Sequence, residues 1–485
     1  MIISGLLLLA TVVSPKITDE VLQNPDMGLC YYQYSNRFWA YSLKDEPADQ
    51  PVRVPGTSVA YMRIQWVDIE PTEGDIRWDT LDAVIQNYAR LGKQSAFRFV
   101  VSNPTTNATP EWVRQAGAKH TDFTHRYIPK GQTRWEPVFD DPVFLEKYEN
   151  FLRVYAARYD GDPNVAFLDI GSFGMYGEGH TCYSVKLSQQ ETDRIAKIHI
   201  DMHLRCLKNT YLVMSDDVSG GHSKDPDPYL MRYCRKHGVG FRDDSIFCFD
   251  RTAYAKGYMH DNWARKFAPT LPVVVETGHY CGKDDPEWRF GELVRCAEDY
   301  RASYFSIHGY PEEVVAHNQA EYDVLCRRVG YRFEPRRIAY PESVRIDEPV
   351  TVESVWVNSG TAQKTKPATL AWSLTDARGA VVWSCTDEAF DFRSLEPTIG
   401  GVEKPVTVRS RCRFGRTVPI PQDSDGMLNR CRKRGYAIGG ELQLLKPGRY
   451  TLNVSVGTRS GTPQIALPLE GGTGRRYAVG QIEVQ

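Results

Sequence analysis

Short apolar segments alternate with longer amphipathic ones between Met27 and Gly309. The short segments are rich in β-branched residues, as in "SVAYMRIQW" from Ser58. The longer ones space apolar residues three and four apart, as in "WDTLDAVIQNYARLG" from Trp78. This alternation is typical of strands and helices arranged around a parallel sheet. Eight strands are expected, beginning at Met27, Ser58, Gln94, Val165, Tyr211, Ser245, Pro272 and Ala302. Eight strand–helix units in about 300 residues predict a (β/α)8 TIM barrel.

The pattern changes after Arg332. Short segments of alternating apolar and polar residues follow, such as "VTVESVWVNSG" and "YAVGQIEV", separated by Gly, Pro, Asp and Asn. Alternation with period two between turn residues predicts an antiparallel β-sandwich. The chain is therefore expected to be of the α/β class, with a TIM barrel over residues 17–331 and a β-sandwich over 332–485.

The N-terminal residues contain a short apolar run, "GLLLLATVV". Its length fits the hydrophobic part of a signal peptide and is too short to span a bilayer, although no Lys or Arg precedes it. Residues 1–16 are therefore expected to be a signal peptide, with a secreted or periplasmic protein as the consequence. No later segment is expected to span a membrane.

The composition of the chain indicates which kinds of molecule it is expected to bind. The net charge is −2, and the first 330 residues contain no long basic run, so a nucleic-acid partner is not expected. Aromatic residues make up 12% of the chain and offer faces that stack on sugars. The 11 cysteines form no CxxC pair, which argues against a zinc site, and one or two bridges are expected, such as Cys385 to Cys412 or Cys431. The sequence specifies no oligomeric state.

Two acidic residues follow strands on opposite sides of the predicted ring. The fourth strand runs into "DIGSFGMYGEGH", which places Glu178 just past its end, and the seventh, "LPVVVETGHY", ends at Glu276. Barrel enzymes build their sites at the carboxyl ends of the strands, so the two side chains are expected to face each other across one cavity. A solvated loop carboxylate is the alternative for Glu178, whereas a charge after three apolar valines needs a partner or a purpose.

Paired carboxyl groups are what glycoside hydrolysis requires. A glutamate on a glycine-rich turn suits the acid/base, and one fixed at a strand end suits the nucleophile. The sequence thus predicts a glycosidase that acts on an oligo- or polysaccharide by a two-glutamate retaining mechanism. The alternatives are an inactive carbohydrate-binding barrel, a polysaccharide lyase and a metal-dependent hydrolase.

Further side chains are expected near the strand ends, where they could bind substrate. Helix capping, ion pairing or core packing is the alternative for each. The candidates are Arg63, Trp66, Tyr176, His180, Asp216, Asp217, Arg242, His279, Tyr280 and His308. Neither a phosphate-binding glycine loop nor a GxSxG or HExxH motif is present, so no cofactor and no metal are predicted.

One segment resembles a known group of enzymes. "YMRIQWVDIEPTEGDIRWDTLDAVIQNYARLGKQ", from Tyr61 to Gln94, is similar to the second βα unit of the clan of retaining (β/α)8-barrel glycoside hydrolases that includes the β-galactosidase-like families. "GSFGMYGEGH" and "NPDMG" also resemble glycosidase-like proteins with a C-terminal domain of unknown function, DUF4832. The resemblance implies an acid/base after strand four and a nucleophile after strand seven, which correspond to Glu178 and Glu276.

The chain departs from the clan pattern at one position. The clan has an Asn directly before its acid/base, where it holds the sugar 2-hydroxyl, and this chain has Gly177. His180, Asp216 and Asp217 are the candidates for that hydrogen bond.

Overall fold

The computed structural model describes residues 10–32, 56–221, 223–247, 258–279, 290–308, 311–413 and 445–485. The chain divides into two compact units, Asp26–Val329 and a second that joins the residues up to Pro25 to Gly330–Gln485. The N-terminal segment is grouped with the second unit because the strand Ala10–Val13 pairs with residues 338–341. The barrel unit therefore begins near Asp26 rather than at the predicted residue 17.

Eight parallel strands form a closed barrel in the first unit, which confirms the predicted TIM barrel. Each strand pairs with the next in sequence, and the eighth pairs with the first. The strands are β1 Gly28–Tyr32, β2 Thr57–Gln65, β3 Gln94–Val100, β4 Val165–Asp169, β5 Tyr211–Ser215, β6 Gly240–Ile246, β7 Val273–His279 and β8 Tyr304–His308.

Helices follow the strands as expected. They are α1 Trp78–Arg90, α2 Pro142–Tyr159, α3 Gln189–Cys206, α4 Tyr229–Lys236, α5 Asp261–Phe267, α6 Phe290–Tyr300, α7 Pro311–His317 and α8 Gln319–Arg328, with short helices at Trp66–Ile69 and Glu111–Gln115. α2 starts at Pro142 because the Asp141 side chain accepts hydrogen bonds from the Val143 and Phe144 amides. Within the described residues, no helix has both the length and the apolar character needed to cross a bilayer.

The sixth strand lies earlier in the chain than predicted. It was expected to begin at Ser245, but β6 is "GFRDDSI" and begins at Gly240. The charged residues in this segment obscured its strand character, since charges rarely occupy a buried strand without partners. The correction places Arg242 and Asp244 on one face of the strand, because side chains two residues apart point the same way.

The barrel interior contains an apolar layer below a charged one. The apolar layer includes the rings of Tyr61, Phe167 and Tyr304, with Phe167 centred 5.6 Å from Tyr61 and 5.1 Å from Tyr304. Two residues further along β4 lies Asp169, whose Oδ2 accepts a 2.5 Å hydrogen bond from the Tyr61 hydroxyl. The layers follow the two-residue period of the strands, as in other filled TIM barrels.

The second unit contains two sheets whose main strands are antiparallel, which confirms the predicted sandwich class. Their main strands are β9 Phe333–Pro341, β10 Pro349–Asn358, β11 Thr369–Thr375, β12 Val381–Asp391, β13 Val406–Arg413, β14 Gly448–Gly457 and β15 Tyr477–Val484. One sheet has the order Ala10–Val13, β9, β10, β13. The other runs Ser343–Val344, β15, β14, β11, β12, so β12 and β13 each lie at the end of their sheet.

Trp66 belongs to the core rather than to a substrate site. Its side chain is 0% exposed and its ring contacts Trp112, Phe144, Tyr148 and Phe151. The indole Nε1 donates a 2.8 Å hydrogen bond to Glu70. The prediction that Trp66 binds substrate is therefore corrected: its polar edge already has a partner, and its faces are covered by other rings.

Replacing this ring tests its structural role. Trp66→Ala is expected to lower the free energy of unfolding by about 3–5 kcal/mol, because it leaves a cavity among well-packed rings. Denaturant unfolding followed by circular dichroism measures the change. The exposed control Val154→Ala is expected to change it by less than about 0.5 kcal/mol. A Trp66→Ala variant as stable as the wild type would contradict the core assignment.

Candidate active site

Glu178 lies in the turn that follows β4. Its carboxylate accepts hydrogen bonds from Arg63 Nη1 at 3.3 Å and Arg98 Nη1 at 3.4 Å, both at Oε1. His180 Nε2 lies 3.4 Å from the other oxygen. Glu178 is nevertheless 9% exposed, so it is held firmly but retains access to solvent. A solvated loop carboxylate would not have three cationic partners, and the structure excludes that alternative.

The backbone of this turn explains the departure at Gly177. The turn has positive φ at Gly174, Tyr176, Gly177 and Gly179. A Cβ at Gly177 would come within 2.8 Å of both the Gly171 Cα and the Val100 side chain, besides requiring φ +71°. An Asn at position 177 would therefore strain the turn that positions Glu178, and any group that holds a sugar 2-hydroxyl must come from elsewhere.

Glu276 lies within β7 and is almost fully buried. Arg242 Nη1 donates a 3.3 Å hydrogen bond to its Oε2, and His308 Nδ1 lies 3.7 Å from its Oε1. Both partners come from the neighbouring strands, β6 and β8. The backbone of Glu276 is part of a barrel strand, whereas that of Glu178 lies in a turn.

A buried arginine connects the two glutamates. Besides Glu276, Arg242 contacts Asp169 with Nε at 2.8 Å and Asp244 with Nη1 at 3.3 Å. The Asp244 carboxyl in turn hydrogen-bonds to Glu178. A continuous path of polar contacts thus runs from Glu276 through Arg242 and Asp244 to Glu178. The predicted acids belong to one charged network at the ends of β4, β6 and β7.

The network shifts the pKa values of Glu276 and Asp244 in opposite directions. Burial raises the pKa of Glu276 to about 8, and the charge of Asp244 adds to the effect, while Arg242 and Arg98 oppose it. Burial also raises the pKa of Asp244, but the charges of Arg242 and Arg98 outweigh it and hold that pKa well below its usual range. The charge of Arg242 is therefore balanced by Asp244, and Glu276 holds its proton more tightly than an ordinary glutamate does.

His180 couples Glu178 to a thiol. Burial lowers the pKa of His180, but hydrogen bonds to Cys182 and Glu178, with the charge of Glu178, outweigh burial and raise it well above its ordinary value. The Cys182 Sγ lies 3.3 Å from His180 Nδ1. His180 therefore contributes positive charge next to Glu178.

Several other predicted residues lie in this network. Arg63 binds Glu178 and lies with its guanidinium 5.2 Å from the centre of the Tyr176 ring. Burial, followed by the charge of Glu178, raises the pKa of Tyr176 to about 12. Asp217 is half-buried, with a carboxylate oxygen within 4.8 Å of ligand atoms of Glu178 and His180. Arg63, Tyr176, His180, Asp217 and His308 are thus brought together around the two glutamates.

The structure corrects two predicted substrate contacts. Arg242 is fully buried, so its role is to hold Glu276 rather than to touch a sugar. Asp216 is also buried and is bonded through Oδ2 to His260 Nδ1 at 2.5 Å, so it is not available as a partner for a sugar. His279 ends β7, but its side chain, like Tyr280, lies outside the described parts of the structure.

Two members of the network were missed as site residues. Arg98 and Asp169 lie within apolar segments, "AFRFVV" and "VAFLD". A fully buried arginine in a barrel strand needs an acidic partner. The charges inside otherwise apolar strands were therefore the signal that could have identified Arg98 and Asp169.

Two sets of side chains have the spacing of metal ligands. Glu178, His180 and Asp217 form one set, and Asp216, Asp243 and His260 form the other, each with ligand atoms within 4.8 Å of one another. Carboxylate and imidazole groups could hold a divalent ion in either set. In the second set, hydrogen bonds from His260 to Asp216 and from Tyr300 to Asp243 already connect the groups.

One family model matches part of the barrel unit. The family model Glyco_hydro_42, described as beta-galactosidase, matches residues 39–192, a segment that contains Arg63, Arg98 and Glu178. The match spans about a third of the chain. It confirms the predicted resemblance to the β-galactosidase-like clan and the predicted class of enzyme, a glycoside hydrolase. No curated protein matches the sequence significantly.

Several solved structures match this chain at low sequence identity. Endo-glycoceramidase II from Rhodococcus sp. is 11% identical, with 80% of this chain and 99% of that chain covered and a TM-score of 0.42. A GH5_18 protein from Streptomyces cattleya is 14% identical over 59% and 70% of the two chains, with a TM-score of 0.40. A beta-galactosidase from the psychrophilic Marinomonas ef1 is 14% identical over 55% and 42%, with a TM-score of 0.30.

The raised pKa of Glu276 predicts a pH-dependent cost to folding. The folded-state pKa of about 8 exceeds the ordinary value of 4.5, so the stability associated with this proton is present at low pH and is lost as the pH rises towards 8. Glu276→Gln removes the titration. The melting temperature of the variant relative to the wild type is therefore expected to increase between pH 5 and pH 9.

Scanning calorimetry across this range measures the difference. Glu321→Gln, on the exposed surface of α8, serves as the control and is expected to show no such trend. A constant difference between Glu276→Gln and the wild type would show that Glu276 ionises normally in the folded protein.

Proposed function

We propose that this protein hydrolyses O-glycosidic bonds by a retaining mechanism, with Glu276 as the nucleophile and Glu178 as the acid/base. The proposal rests on the network that joins the two side chains. Glu276, in β7, contacts Arg242, and Arg242 contacts Asp244. Asp244 in turn contacts Glu178, in the turn after β4. Retaining hydrolysis needs one carboxylate that attacks and one carboxyl that transfers a proton, both at the same anomeric centre.

The positions of the two side chains, one in a strand and one in a turn, support this order of roles. The Glu276 carboxylate would attack the anomeric carbon while Glu178 gives its proton to the departing oxygen, forming a glycosyl ester on Glu276. Glu178 would then take a proton from water, which attacks the same carbon and releases Glu276. The strand position of Glu276 favours a fixed nucleophile. Glu178, on its turn and partly exposed, has access to both the leaving oxygen and water.

The cations of the network favour the charge that Glu276 must carry. Arg242 and Arg98 lower its pKa, whereas burial and Asp244 raise it. Positive charge that develops at the anomeric carbon would add to the arginines and favour the ionised form when substrate is bound. A proton on Glu178 would be shared with Asp244, so the same contact supports proton transfer by the acid/base.

The substrate class we infer is a neutral glycoside, and a β-galactoside is the first to test because the matching family model carries that name. Because position 177 is a glycine rather than the Asn of the clan, another side chain must hydrogen-bond to the sugar 2-hydroxyl. His180 and Asp217 are the two predicted replacements that lie beside Glu178.

We also propose that the protein is secreted or periplasmic, as its N-terminal apolar run predicts. The strand Ala10–Val13 uses residues of the predicted signal peptide in the sheet with β9. N-terminal sequencing of the protein from its native host distinguishes a chain cut after residue 16 from one that retains this strand.

Loss and rescue of activity test the two roles separately. Glu276→Gln and Glu178→Gln are each expected to reduce kcat by about 10³-fold or more, with the fold intact by circular dichroism. Azide added to Glu276→Gly is expected to give the glycosyl azide of inverted configuration, because azide enters where the carboxylate attacked. Azide added to Glu178→Gly is expected to give the retained product.

The assay uses a panel of aryl glycosides, with product configuration read by NMR and Glu321→Gln as the activity control. A chelator is expected to leave wild-type activity unchanged. Near-normal kcat in either Gln variant would overturn the assigned roles, and loss of activity with the chelator would indicate a metal-dependent hydrolase instead.

Asp244 tests the electrostatic part of the proposal. Asp244→Asn removes the charge that, after burial, most raises the pKa of Glu276, so that pKa is expected to fall. Since the nucleophile must be ionised, the acidic limb of the kcat/KM profile should move to lower pH. Asp225→Asn, on an exposed loop, is the matched control. An unmoved acidic limb in Asp244→Asn would mean that Glu276 does not set it.

A further inference from the structure

Two cysteines lie on the edge strands of the sandwich. Cys385 is in β12, at the end of one sheet, and Cys412 is in β13, at the end of the other. Cys412 is buried and Cys385 is half-buried. An edge strand has no further strand to pair with on its open side, so contacts between β12 and β13 are what join the sheets there.

Hydrogen bonds hold the two strands side by side around these cysteines. The Trp383 indole donates to the Arg413 carbonyl at 3.2 Å, and the Ser410 hydroxyl donates to Asp387 Oδ2 at 2.8 Å. Between these two contacts, the Cys385 thiol lies 3.9 Å from the Arg411 carbonyl. The side chains of Cys385 and Cys412 are close enough to hydrogen-bond to each other. A disulfide needs two cysteines that face each other at short range, as these two do.

We propose that Cys385 and Cys412 form a disulfide that joins the two sheets of the sandwich when the protein meets an oxidising thiol–disulfide pool. The cross-link is independent of the proposed glycosidase activity, since both cysteines belong to the second unit. The two cysteines thus form a site of covalent modification, and the reagent that oxidises them is a small disulfide such as glutathione disulfide.

The chemistry is a double thiol–disulfide exchange. The Cys385 thiolate attacks glutathione disulfide, forming a mixed disulfide and releasing one glutathione thiolate. Cys412 then attacks Cys385 Sγ, forming the protein disulfide and releasing the second glutathione. The two protein thiols lose two electrons and two protons, and the oxidant becomes two glutathione thiols. The hydrogen bond from Cys412 lowers the pKa of Cys385 despite its burial, which favours Cys385 as the attacking thiolate.

The competing partner is Cys431, which lies outside the described residues. Proteolytic mapping must therefore separate Cys412 from Cys431. Trypsin cannot do so, because both lie between two arginines and each yields the dipeptide Cys-Arg. Chymotrypsin cuts after Phe414, Leu428 and Tyr436, so it places the two cysteines in different peptides.

The first measurement uses the wild-type full chain, incubated with oxidised and reduced glutathione. Free thiols are then alkylated, the protein is digested with chymotrypsin, and linked peptides are identified by mass spectrometry. A peptide pair joining Cys385 to Cys412 is the expected result. Alkylation of both cysteines after oxidation, or a link from either one to Cys431, would overturn the proposal.

The second measurement is thermal. The bond closes a loop of 28 residues, from 385 through 412, so reduction of the oxidised protein is expected to lower the melting temperature of the sandwich unit by about 5 °C. Cys385→Ser should lack this sensitivity to reductant, while Cys326→Ser, in the barrel unit, should keep it. Equal sensitivity in wild type and Cys385→Ser would contradict the proposed bond.

Discussion

The buried guanidinium of Arg242 is the interaction on which the proposed site depends. It is 0% exposed and contacts three carboxyl groups, on Asp169, Asp244 and Glu276, from three different strands. A buried cation of this kind is tolerated only with such partners, and each buried acid in turn needs a cation. The strand ends are therefore fixed relative to one another by charge as well as by backbone hydrogen bonds. Removal of the guanidinium, or of the carboxylates that balance it, would leave the opposite charge buried without a partner.

This arrangement holds Glu276, the proposed nucleophile, in a place where its ionisation is costly. Arg98 contributes a second cation, with Nε 3.6 Å from Asp169 and Nη1 3.4 Å from Glu178. Because Glu276 is buried and lies near the charge of Asp244, its pKa is raised and it ionises less readily than an ordinary glutamate, although Arg242 and Arg98 oppose the effect. The protein thus keeps one acid poorly satisfied in the resting state. Active sites commonly carry such a cost in stability, because the same charges are better satisfied in the transition state than before it.

The sequence was sufficient to predict the architecture, and it singled out Glu178 and Glu276, but it said less about the residues around them. Periodicity of apolar residues predicts the barrel and sandwich because burial dictates both. Glu276 stands out since it follows three apolar residues. Trp66 and Asp216 were misjudged because a tryptophan or an acid near a strand end has the same sequence signature whether it faces the cavity or the surrounding helices. Only the side-chain direction, set by β2 and by the turn after β5, decides between them. The start of β6 was predicted too late because its charged residues do not resemble a buried strand. These residues are paired inside the barrel with partners from strands that are distant in the sequence.

Gly177 shows how backbone geometry can determine a substrate contact. The resemblance to the clan leads one to expect an Asn, but the turn after β4 passes so close to Gly171 and Val100 that no side chain fits there. The same tight turn places Glu178 between Arg63, Arg98 and His180, three cationic partners from the strand ends and the turn itself. If sugar recognition next to Glu178 is retained, it must use side chains outside position 177, and His180 is already positioned by Glu178 and Cys182. The absence of a side chain at position 177 and the position of Glu178 among its three partners are therefore two effects of the same backbone path.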